Sequence, residues 1–203
     1  MIPIFFLNSR DYYLAFIGKM FQGVGNFAIT GYILYIMTDF LKRGSQTQSS
    51  IQSQTQSSIQ LINTIMLIFG ILMGLFAGPV SDKLKVLKLP VGFSTIFLAP
   101  GAASLYFMHS TVGIAIYALC AGIGMGLWNA LDNLLNLEVI PDPDRVAFFL
   151  GVYNLGNTLT QAIAPVIAAA AISVFGFSSI FLISFVFSII GGLCVLSIKT
   201  VKR

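Results

Sequence analysis

Apolar residues in this chain run in six long blocks, separated by short polar connections, instead of alternating with polar ones. The blocks cover residues 12–38, 59–80, 89–108, 112–135, 146–172 and 177–198. A helix crosses the hydrocarbon core of a bilayer with about 20 mostly apolar residues, and each block meets that length. The pattern predicts an all-α integral membrane protein, with six transmembrane helices forming a single bundle over residues 1–203. The connections differ in kind. SQTQSSIQ at 45–52 recurs unchanged at 53–60, and the uncharged Ser/Gln stretch over 44–60 is expected to be an external low-complexity loop. Such a tandem octapeptide fits slippage of the coding sequence better than a binding site. The connection at 81–88 is short and basic, and NLEVIPDPDR carries Pro141 and Pro143, which stop helix continuation.

Charge then orients the blocks. Arg10, Lys83, Lys85, Lys88, Arg145, Lys199, Lys202 and Arg203 fall on one side, against Lys42 and Arg43 on the other. By the positive-inside rule both termini are expected in the cytoplasm, with the chain a multi-pass protein of the plasma or inner membrane. The first residues lack the basic leader and small-residue cleavage site of a signal peptide, so the first block is expected to direct insertion. Hydrophobic residues make up 57% of the chain and charged residues 9%, against about 25% charged in soluble domains. Lipid is therefore the solvent and the bilayer the first partner. The cations sit at helix ends with no interleaved exposed aromatics, which excludes a nucleic-acid platform.

Polar residues inside the blocks carry most of the functional information. The third and sixth blocks have no charge, Asn or Gln, as suits helices facing lipid or the outside of the bundle. In the fourth block Asn129, Asp132, Asn133 and Asn136 share a helical face, and in the fifth Asn154, Asn157, Thr158 and Gln161 do the same. Such stripes must face other helices or a water-filled cavity. Single amides read as interhelical glue, whereas two stripes on successive helices point to a pathway. Gly70, Gly74 and Gly78 form a ridge without side chains, suited to packing either within the bundle or against another one. Trp128 beside Asn129 fits either stacking on a sugar ring or plain packing.

Two ionisable residues lie within blocks, Lys19 and Asp132. Lys19 is about 10 Å along the first helix from Tyr12, and Asp132 about 9 Å along the fourth from Glu138. Both depths are counted from the same face, so the two charges are expected to meet, directly or through water. The pair fits a structural salt bridge, a gate or a proton site, and Lys19 alone could snorkel. No enzyme, cofactor or metal centre is expected. His109 stands alone, Cys120 and Cys194 read as small core residues, and Gly122, Gly124 and Gly126 suit helix packing better than phosphate binding.

Gly78-Pro79-Val80-Ser81-Asp82-Lys83, followed by Lys85 and Lys88, resembles the G-x-x-x-D-(R/K)-x-G-(R/K)-(R/K) signature of major facilitator superfamily transporters, with departures at Lys85, Val86 and Leu87. RDYYLAFIGKMFQGVGNFAITGYILYIMTDFL looks like the start of the C-terminal half of bacterial members. GIGMGLWNALDNLLNLEVIP and GVYNLGNTLTQAIAPVIA are similar to the fourth and fifth helices of that half. The resemblance implies two inverted three-helix repeats and alternating-access transport of a small organic solute. It also implies that the first and fourth helices line a cavity, with Lys19, Gln22, Asn26, Trp128, Asn129 and Asp132 as candidates. The second and fifth would face another half, making Gly70, Gly74, Gly78, Asp82, Lys83, Asn154, Asn157 and Gln161 interface and gating candidates. Asp82 would accept hydrogen bonds from a helix N-terminus of the opposite half. A complete transporter of this kind has about twelve helices. The expected partner is therefore a second six-helix half, either a separate chain or a second copy; the alternative is a gene remnant that only packs against partner helices.

Overall fold

Helix formation follows the apolar blocks, with two interruptions that the side chains explain. In the computed structural model, residues 10–41, 48–84 and 87–199 are described, without the side chains of 39–41, 48–52, 82 and 84. The elements are α1 (Arg10–Thr30), α2 (Ile33–Leu41), α3 (Gln48–Leu84), α4 (Lys88–Ile96), α5 (Leu98–Phe107), α6 (Thr111–Val139), α7 (Val146–Phe175) and α8 (Ser179–Leu196). Among the described residues there is no strand. The first block breaks at Gly31–Tyr32, where the Thr30 hydroxyl bonds back to the Asn26 carbonyl at 3.0 Å, a contact that bends helices. The third block breaks at Phe97. Pro100 lies just beyond and cannot supply the amide that the Ile96 carbonyl needs.

Five helical segments are long and apolar enough to cross a membrane: Ser53–Ser81, Lys88–Phe107, Thr111–Val139, Pro143–Phe175 and Ser179–Leu196. The first block, divided and carrying Lys19, is not among them. The Ser/Gln tract departs from the expected loop, because α3 begins at Gln48 and includes the whole second octapeptide. The tract holds no Gly or Pro, Gln is a good helix former, and extending an existing helix costs far less than nucleating one. Residues 42–47, with Lys42, Arg43 and the start of the first octapeptide, lie outside the described residues, as do Lys85, Val86, Lys202 and Arg203.

Small residues set how closely the helices approach, since lipid supplies little hydrophobic drive between them. α1 and α8 run antiparallel, with Gly18 against Val195 and Gly191, and Gly25 against Ser188. α1 and α7 run in the same direction, with Gly23 on Thr160 and the Tyr32 hydroxyl bonded to the Pro165 carbonyl at 3.1 Å. α3 and α6 also run together, with Gly122 on Met66 and Gly126 on the backbone of Gly70. α4 and α5 are wedged between α6 and α8. The uncharged third block is among the most buried, yet Leu89, Phe93, Phe97, Tyr106 and Phe107 leave it an exposed apolar face, while α3 and α7 are the least buried. Two apolar clusters result. One gathers Ile29, Ile36, Leu105, Tyr117 and Phe181, and the other Tyr12, Leu87, Leu135, Phe149 and Ile198 at the end bearing Arg10, Lys88, Arg145 and Lys199.

Candidate functional site

Between these clusters the helices carry polar side chains inward. Lys19, Gln22 and Asn26 share one face of α1 at helical spacing, as do Met125, Trp128, Asn129, Asp132 and Asn133 on α6. These residues, with Phe27 and with Asn154 and Asn157 of α7, line one cavity of about 240 Å³. All six cavity candidates from the sequence meet there. Asn154 and Asn157, assigned by resemblance to an interface between halves, line it as well.

The charged pair stands in its wall. Lys19 Nζ donates to Asp132 Oδ2 at 2.7 Å. Both residues are buried, at 6% and 5% exposure. Ions so enclosed are tolerated only when paired and further hydrogen-bonded. Tyr153 of α7 completes the arrangement. Its hydroxyl donates a hydrogen bond to Asp132 Oδ1, and its ring lies 4.0 Å from Lys19 Nζ, within cation–π range. Three helices are thereby joined through one carboxylate. Toward the Lys/Arg-bearing end, the Tyr12 hydroxyl donates to the Phe149 carbonyl at 2.7 Å. The Tyr12 and Phe149 rings meet edge to face at 5.2 Å, sealing α1 against α7 there.

Other polar groups are less fully matched. Gln22 Nε2 donates to Met125 Sδ at 3.3 Å. Among the described residues, Asn26 Oδ1 is buried with no donor, and neither polar atom of Asn136, one turn beyond Asp132, has a partner. Asn136 is not in the cavity lining. Among the described residues no three His, Cys, Asp or Glu side chains gather to hold a metal.

The interface candidates divide. Gly70 and Gly74 face Gly122 and Gly126, so the ridge is used for the α3–α6 crossing inside this chain. Gly78 faces open space, Lys83 is exposed at the last turn of α3, and Gln161 is exposed on α7. Asp82 lies in α3, but its side chain is outside the described residues. Tyr153, Tyr12, Met125 and Phe27 were not singled out by the sequence. Tyr153 left a usable signal, since a tyrosine inside an apolar helix needs a hydroxyl partner and Asp132 had an oxygen to offer.

The fold and the site define a multi-pass helical membrane protein with a polar cavity between α1, α6 and α7, open on one side. The sequence matches the Major Facilitator Superfamily over residues 15–203, and the chain belongs to that superfamily of secondary transporters. Its members are generally not enzymes. A search of curated proteins found no match.

Proposed function

We propose that this chain forms one six-helix half of a secondary transporter that moves a small polar organic solute by alternating access. α1 and α2 together make the first of six crossings. The helix neighbours support two inverted repeats. Exchanging the first crossing with the fourth, the second with the fifth and the third with the sixth carries the α1–α7 contact onto α6–α3, and α1–α8 onto α6 with α4 and α5. The asymmetry of Lys and Arg supports cytoplasmic termini in a plasma or inner membrane.

One observation carries this reading. Asn129, Asn133, Asn154, Asn157 and Gln161 are exposed along α6 and α7 at membrane depth. In lipid each would go unsatisfied at a cost of several kcal/mol. A water-filled pathway closed by a second half removes that cost, whether that half comes from the same polypeptide, another chain or a second copy. Gly78, Lys83 and Asp82 then face the partner half at the Lys/Arg-bearing end, with Asp82 as an acceptor for a partner helix N-terminus. The Lys19–Asp132–Tyr153 cluster acts as the gate, because α1 and α7 cannot separate from α6 without opening it.

Uptake of labelled solutes by the full chain in proteoliposomes tests this. Asp132→Asn should lower uptake about tenfold or more, since it leaves Lys19 buried without its counter-charge. Unchanged uptake would remove the pair from the pathway. Asp82→Asn should alter transport kinetics, and identical kinetics would dispose of the latch.

A further inference from the structure

The chemistry of the cavity wall narrows the solute. We propose that it is neutral and rich in hydroxyl groups, a sugar or a polyol. This rests on reading the cavity as the transport pathway. Among the described residues, Lys19 and Asp132 are the only Lys, Arg, His, Asp or Glu side chains in the lining, and they neutralise each other at 2.7 Å. The second oxygen of Asp132 is taken by Tyr153. An anionic solute would have to draw Lys19 away and leave a buried carboxylate, and a cation would leave a buried ammonium. A zwitterion would have to open the pair at both ends.

The rest of the polar lining is carboxamide: Gln22, Asn26, Asn129, Asn133, Asn154 and Asn157. Each carboxamide offers two N–H donors and a carbonyl acceptor, matching hydroxyls that both donate and accept. Asn26 is the sharpest case. It is 5% exposed, and its Oδ1 lacks a donor among the described residues. A hydroxyl supplies that donor, and a carboxylate cannot. Trp128 and Phe27 add aromatic surface for the C–H side of such a molecule.

Trp128 is the only tryptophan in the chain, so intrinsic tryptophan emission reports on this cavity alone. The purified full chain in lipid nanodiscs is titrated with xylose, glucose and mannitol, and separately with succinate, alanine and choline. At least one neutral probe should give a saturable change in emission. Its half-saturation concentration should rise about tenfold or more in Asn26→Leu, through loss of a hydrogen bond in a desolvated site. Asn129→Leu, on the exposed face of α6, should also weaken the response, and keeps the test independent of how the buried variant folds. A response to succinate, alanine or choline with none to the neutral probes overturns the solute class and leaves the transport reading standing. Silence from all six probes overturns the solute class, and the uptake measurement in proteoliposomes decides the transport reading separately. A sugar response untouched by either substitution overturns the role of the carboxamides.

Discussion

Lys19 and Asp132 cannot be valued one at a time. Each is enclosed among helices, and each is tolerable because the other is within hydrogen-bond reach. Removing one partner of such a pair costs about 3–5 kcal/mol, whereas replacing both with apolar groups of similar size is often neutral. Thermal unfolding in detergent should therefore show a large drop for Lys19→Met and for Asp132→Leu, with much of the loss recovered in the double variant. Additive losses would mean that the two side chains are not coupled. Tyr153→Phe removes one hydrogen bond to Asp132 but keeps the ring beside Lys19, so its cost should be smaller, about 1.5–3 kcal/mol for a bond to a charged group. The meeting of Lys19 with Asp132 is legible in the sequence, because helical rise converts residue number into depth and the bilayer gives all helices a common zero. Tyr153 is not legible in that way. Depth alone does not say which of two polar rings on neighbouring helices turns toward a carboxylate; that depends on how each helix is rotated about its own axis.

At the scale of helices, glycine decides which faces can touch. A Cβ added at Gly126 would lie 2.5 Å from the Gly70 carbonyl and 2.8 Å from its Cα, atoms that cannot swing aside. Gly126→Ala should push α3 from α6 and destabilise the protein by about 1–3 kcal/mol, the usual cost of overpacking. Gly78→Ala meets nothing within 4 Å and should leave unfolding unchanged or raise stability by up to about 1 kcal/mol, the helix preference of Ala over Gly. Opposite outcomes at the two positions would reverse the assignment of the ridge. The sequence showed three glycines in register and could not separate packing inside from packing outside. The answer depends on Gly122 and Gly126, which face Gly70 and Gly74 across the α3–α6 contact. The Ser/Gln tract misleads for the opposite reason. Its composition suggests a loop, yet nothing in it stops a helix that the apolar segment beyond Ile59 has already nucleated.

For the whole molecule, the question is what covers the polar side of α6 and α7. Apolar side chains such as Leu182 of α8, 62% exposed, are at home in lipid, but the exposed carboxamides of α7 are not. If a second half covers them, cysteines placed at Gly78 and Gln161 should be captured by short bifunctional thiol reagents in native membranes, and a cysteine at Leu182 should not. The native Cys120 and Cys194 are free and set the background. An adduct of twice the chain mass identifies a second copy, and one of another mass identifies a separate half. Equal capture at all three positions, or none at Gly78 and Gln161, means that no partner occupies this face. The proteoliposome experiment then gains a clear reading, because a half-transporter without its partner should give no uptake that depends on Asp132.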